Sequence, residues 1–192
     1  MPRVNLDHVK KEIAGQDGLR EDIIRDARKL IIRSKTAIGC VQRDEMEQAA
    51  KILAEMKQDL AELGMLAGKH GRLVHEGIFK VAVQEYVEAL SLYIFVKDGK
   101  LLPYSGEFHD PENYLMGLCD LSGELVRKAI NAVIKNDFLL AVKIRHFLED
   151  LYTELSKFDF KNSELRRKYD GIKYDVKKLD DVVFQLKMKD KI

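Results

Sequence analysis

The sequence predicts an all-α protein, a single domain of seven helices spanning residues 1–192. Three observations carry that expectation. Only Pro2, Pro103 and Pro111 interrupt the chain, so residues 3–102 and 112–192 lack the strongest helix breaker. Apolar residues recur at helical spacing through most of the 192 positions. No segment shows the strict alternation of a half-buried strand, and no internal repeat or low-complexity tract competes with the helical reading.

A short first helix over about 4–14 carries Leu6, Val9 and Ile13 on one face and ends at Gly15. The second, about 17–41, places Leu19, Ile23, Ala27, Leu30, Ile31 and Ile38 on one stripe. Asp44 with Glu47 three residues on reads as the N-cap of a third, which runs through Leu53, Met56, Leu60 and Leu63 to Gly64 and Gly68. The fourth, about 72–97, is the least polar. The stretch DGKLLPYSGEFHD (98–110) then forms a long loop, closed at residue 111 by proline in a first helical turn behind the N-cap Asp110. The fifth helix runs to about 135, the sixth from Asp137 to about 157, and the seventh from the N-cap Asn162 to about 188. Along the seventh, Leu165, Tyr169, Ile172, Val176, Leu179, Val183 and Leu186 alternate by four and three. That spacing suits either a subunit contact or an ordinary amphipathic helix on its own core.

With 33 basic against 32 acidic residues the formal net charge is +1, which excludes a uniformly basic nucleic-acid binder and an acidic disordered tail. Cys40 and Cys119 are isolated, so neither a disulfide framework nor a zinc knuckle is expected. The opening MPRVNLDHVKKEI lacks an apolar signal core, and no apolar run approaches the ~20 residues of a membrane span. A cytoplasmic chain without membrane contact is the expectation.

The fourth helix holds the most informative residues. Val74, Ile78, Val81, Glu85, Glu88, Leu92 and Phe95 form a second seam, and Glu85 and Glu88 are the only charged residues between Lys80 and Lys97. An ionised acid on an apolar stripe is costly without a proton, a cation or a metal. The fifth helix adds Asp120 and Glu124, four apart on one face, with no Lys or Arg between Lys100 and Arg127. Packed side by side, the two helices would gather four carboxylates. Oxygen donors without histidine or cysteine select a hard divalent ion, Mg²⁺ or Mn²⁺, the usual apparatus of phosphodiester hydrolysis. A solvated acidic stripe remains the plainer alternative. Cys119 has no activating histidine nearby and reads as a structural thiol. Arg72, His75 and Lys80, with His70, make the start of the fourth helix basic and suited to phosphate contact, or to plain solvation.

The segments VQEYVEALSLYIF (83–95), NYLMGLCDLSGELVRKAINAV (113–133) and NSELRRKYDGIKYDVKKLDDVVFQL (162–186) together resemble the translin superfamily, and GLREDIIRDARKLIIRSKTAI (18–38) is compatible. Within it, the acidic motifs are similar to the translin-associated factor X branch, in a compact prokaryotic form. The resemblance implies a seven-helix subunit of a hollow homo-oligomer, an octamer, that encloses single-stranded RNA or DNA, with duplex RNA a further candidate. It also implies a metal-dependent endoribonuclease site, which carries over by motif to Glu85, Glu88, Asp120 and Glu124 as catalytic and metal-binding residues. Arg72, His75, Lys80 and Arg127 are the expected nucleic-acid contacts. Two rivals stay open: a binding protein without catalysis and a purely structural scaffold. Residues 81–126 carry two lysines against eight acids, a net −6, which leaves +7 for the rest. An acidic centre inside an otherwise basic chain agrees with a cation site that meets a phosphate backbone.

Overall fold

The computed structural model describes residues 5–68, 77–161 and 163–192, and side chains 12 and 16 fall outside that description. Among the described residues the chain forms six α-helices and no strand. The helices are α1 (Asp7–Gln42), α2 (Met46–Gly68), α3 (Gly77–Asp98), α4 (Pro111–Ile134), α5 (Phe138–Leu155) and α6 (Glu164–Met188), with a 3₁₀ turn at Gly106–Phe108.

The helix expected to end at Gly15 continues instead, so two predicted elements become the single 36-residue α1. An internal glycine costs only about 1 kcal/mol relative to alanine, less than the contacts and capping lost in breaking a long helix. Gly99 is the one described glycine with positive φ (67°), so Gly15 lacks the left-handed geometry of a C-cap. The described side chains of residues 5–18 are exposed, and the core begins at Ile23. A second correction concerns Asp44, which sits at φ 67° and does not cap α2. Its carboxylate accepts from Lys128 and Lys135 Nζ, both at 2.6 Å, and so ties the α1–α2 turn to α4. Lys128 is 3% exposed and also donates to the Val41 carbonyl at 2.7 Å, so its charge is fully compensated.

The expected start of the fourth predicted helix, at residue 72, lies outside the described residues, as does Val74 of its seam. On α3 the buried face is Phe79, Ala82, Val83, Tyr86, Ala89, Leu92 and Phe95, while Val81, assigned to the seam, is exposed. The 98–110 segment is a loop as expected, pinned by fully buried Phe108, which stacks on Tyr114 at 5.6 Å. Asp110 caps α4 by accepting from the Glu112 amide at 2.8 Å, and Asp137 caps α5 by accepting from the Leu140 amide at 3.1 Å. Ser163 caps α6, accepting from the Arg166 amide at 3.3 Å. Asn162, the expected cap, is outside the described residues. Asp110→Ala is expected to cost about 1 kcal/mol, a drop of roughly 2–4 °C in Tm by circular dichroism.

Packing follows chain order. α1 lies against α2 and α3, α3 against α4, and α4 against both α5 and α6, with α5 on α6. One continuous core runs from Ile23 to Leu179. The α6 seam turns inward: Leu165, Tyr169, Ile172, Leu179 and Leu186 are buried within the chain, on the side where α4 and α5 pack. That settles the open choice in favour of an amphipathic helix on its own core rather than a subunit contact through this stripe. Among the described residues, no helix is long and apolar enough to cross a membrane.

Candidate metal centre between α3 and α4

The α3–α4 contact is unusually close at Gly117. A Cβ there would lie 2.7 Å from the Gln84 carbonyl oxygen and 2.7 Å from Val87 Cβ. Only glycine admits that approach. Gln84 Nε2 also reaches Asn113 Oδ1 at 3.5 Å, one turn earlier on α4. The turns that flank this contact carry Glu85 and Glu88 on α3 and Asp120 and Glu124 on α4. The structure brings all four into one electrostatic neighbourhood: Glu88 responds to the charges of Asp120, Glu85 and Glu124.

Each acid has different support. Glu85 Oε2 accepts from the hydroxyl of Ser34 on α1 at 2.6 Å, and Ser34 is fully buried. Glu124 Oε2 accepts from Gln42 Nε2 at 2.8 Å, and the same amide reaches the Glu124 carbonyl at 2.9 Å. Asn131 Nδ2 holds Gln42 from the other side, 3.2 Å from Oε1. Asp120 forms an ion pair with Lys168 of α6. Burial raises the Asp120 pKa, and Lys168 opposes the rise.

Glu88 has neither hydrogen bond nor ion pair among the described residues. Burial pushes its carboxyl up to about 8, the charges of Asp120, Glu85 and Glu124 push the same way, and Lys168 offsets part of it. At neutral pH, then, a proton does what a cation would otherwise do. Among the described residues two cations pair with the four acids, Lys168 and Arg127, the latter exposed and 3.5 Å from Glu124 Oε2. Excess negative charge and oxygen-only donors fit a hard divalent ion. Among the described residues no three acids, histidines or cysteines stand ready as a closed ligand set, so binding would require side-chain rotation.

Lys80 is half-buried in the first turn of α3, and Arg127 flanks the acids. Arg72 and His75 lie outside the described residues. Burial and neighbouring Asp120 push the Cys119 thiol up to about 12, so it is no nucleophile. The sequence reading missed Ser34, Gln42 and Lys168. Ser34 had a signal, as a lone hydroxyl in the apolar stripe of Ala27, Leu30 and Ile38. Lys168 had none, since its partner lies 48 residues away.

Long helices, with no strand among the described residues and with half-buried acids on two central members, define a recognisable class. The same fold is found in apo-NeC3PO, which matches with a TM-score of 0.87 at 28% identity over 96% of this chain and 98% of that one. AfC3PO in complex with duplex RNA matches with a TM-score of 0.81 at 23% identity, covering 97% and 98%. The sequence profile of the Translin family matches residues 18–190, and the chain belongs to the translin family. An uncharacterised protein of Methanocaldococcus jannaschii is 34% identical over 86% of this chain and 75% of its own length. Gallus gallus translin is 41% identical over 43% of this chain and 36% of its own length, so that match spans about a third of translin. The translin-associated protein X of Pongo abelii is 23% identical, covering 94% of this chain and 76% of its own.

Proposed function

We propose that the chain is a metal-dependent endoribonuclease whose site is the α3–α4 acid cluster. The observation that carries this reading is Glu88: a half-buried carboxyl beside three others, with no ion pair of its own among the described residues. Such a group is destabilising as an anion unless a metal compensates it. Glu85, Glu88, Asp120 and Glu124 would hold one or two Mg²⁺ or Mn²⁺ ions, directly or through water. When bound, such an ion polarises a phosphoryl oxygen and lowers the pKa of its water. Ser34 and Gln42 keep Glu85 and Glu124 in place from α1, so fewer side chains need ordering when a cation arrives. One carboxylate orients the attacking water as general base. Arg127, Lys80, Arg72 and His75 contact the RNA backbone.

The neighbour solved with duplex RNA supports RNA as substrate, and we propose single-stranded as well as duplex RNA, with single-stranded DNA as a further ligand. We further propose a cytoplasmic homo-oligomer, an octamer enclosing the nucleic acid. With the α6 stripe buried in the chain, another surface must make the subunit contacts. Light scattering is expected to give a mass several times 22.1 kDa.

The decisive assay uses labelled RNA with Mg²⁺. Cleavage is expected, with its loss in EDTA and a fall of 10²-fold or more, an order-of-magnitude figure for a metal-ligand loss, in Asp120→Asn and Glu88→Gln. Binding without cleavage, indifferent to both substitutions, would instead establish a nucleic-acid-binding protein without catalysis. The observation that favours that second reading is the Lys168–Asp120 pair, which already neutralises one acid.

A further inference from the structure

Of the four acids, Asp120 alone is held by a cation from another helix among the described residues. Lys168 sits on α6 between the buried residues Leu165, Tyr169 and Ile172, which seat that helix in the core. Ser122 of α4 donates to Asp175 of α6 at 2.8 Å and fixes the register between the two helices. The Lys168 ammonium is therefore delivered to Asp120 by two packed elements, and its side chain is only 26% exposed. It also acts on Glu88, whose charged form it favours. Arg127 differs on both counts: it lies on the same helix as its partner Glu124, and its side chain is 58% exposed, where water screens it.

An ammonium fixed among carboxylates has the charge sign and oxygen partners that a divalent cation would take there. Both cannot occupy the same carboxylate oxygens, and like charges a few ångströms apart in a half-buried site repel strongly. We propose that Lys168 is the built-in counter-ion of the four-carboxylate site: it occupies Asp120 until a divalent cation displaces it, and thereby sets how tightly the site holds that cation. The flexible four-carbon stem of Lys168 lets the ammonium swing out of the site without moving α6. Metal-free protein thus avoids a cluster of unpaired acids, and the exchange of one cation for another weakens metal binding relative to an empty site. The inference rests on the acid cluster being a metal site, as proposed above.

The test is a Mn²⁺ titration without RNA, reading free aqueous Mn²⁺ by electron paramagnetic resonance. Lys168→Met is expected to bind Mn²⁺ on the order of tenfold more tightly than the parent chain, one pKa unit's worth of charge interaction. Lys168→Arg, which keeps the charge, is expected to stay near the parent affinity. Lys168→Gln serves as a second neutral variant should Lys168→Met fail to fold by circular dichroism. Asp120→Asn is the control for the site itself. Mn²⁺ uptake lost in Asp120→Asn but unchanged or weaker in the neutral Lys168 variants would overturn the counter-ion role and leave the metal site standing. Mn²⁺ uptake indifferent to Asp120→Asn would overturn the metal-site reading itself. Tighter binding in the neutral variants, abolished when Asp120→Asn is added, supports the proposal.

Discussion

Glu88→Gln is expected to stabilise the metal-free protein at pH 8 and to leave it nearly unchanged at pH 4. The Glu88 carboxyl titrates at about 8 in the folded chain against an ordinary value of 4.5. Below 4.5 both folded and unfolded chains hold the proton, so the site costs nothing. Between 4.5 and 8 the unfolded chain releases the proton and the folded chain keeps it, so stability falls as pH rises and the loss is complete once pH passes the folded value. The full swing is on the order of 4 kcal/mol, less where water reaches the partly exposed carboxyl. An uncharged amide of the same shape removes the swing. The check is Tm from pH 4 to 8.5 in EDTA, where parallel curves for the two proteins would contradict the account. Adding Mn²⁺ at pH 8 is expected to restore the parent chain and to help Glu88→Gln much less, because a bound cation favours the ionised form.

Gly117→Ala carries the second large effect. Its new methyl group would meet the Gln84 carbonyl at 2.7 Å, and a backbone atom in a helix cannot step aside as a side-chain tip would. α3 and α4 must separate. The helix-propensity gain from alanine, about 1 kcal/mol, opposes overpacking that typically costs 1–3 kcal/mol, so the net loss of stability is up to about 2 kcal/mol. Tm is expected to fall by up to several degrees. Because the same contact sets the distance between the two acid pairs, RNA cleavage and Mn²⁺ affinity are expected to fall further than the stability loss predicts at a temperature where the variant is fully folded. A Tm at or above that of the parent would show that the helices accommodate the methyl group.

Local chemistry was legible in the sequence wherever it acts over a few residues. The cap Asp110, proline in the first turn of α4 and the 98–110 loop all stand where the sequence placed them, because each depends only on its neighbours. Three features that local signals misread or left open were not. Asp44 looks like a cap until Lys128 and Lys135 claim its carboxylate. Gly15 looks like a terminator, but nothing competes with the helix that runs through it. The α6 repeat has the spacing of an intermolecular seam, yet periodicity reports only that a stripe is covered, not by what. The acid cluster lies between these cases. Charges on an apolar stripe marked Glu85 and Glu88 as costly; in the structure Ser34 donates to Glu85, and the cost falls on Glu88. Their supports, Ser34, Gln42 and Lys168, come from helices that sequence spacing does not relate to α3 and α4.

Those supports also order events during synthesis. Ser34 meets Glu85 across 51 positions, Gln42 meets Glu124 across 82, and Lys168 meets Asp120 across 48. Contacts so far apart in the chain form late, since loop closure must precede any gain from them. A ribosome-bound chain that has emerged only through α4 carries all four acids but lacks the lysine that pairs with Asp120. The nascent polypeptide would expose an uncompensated acidic patch until the last helix docks, which makes translation of α6 the step that completes the site.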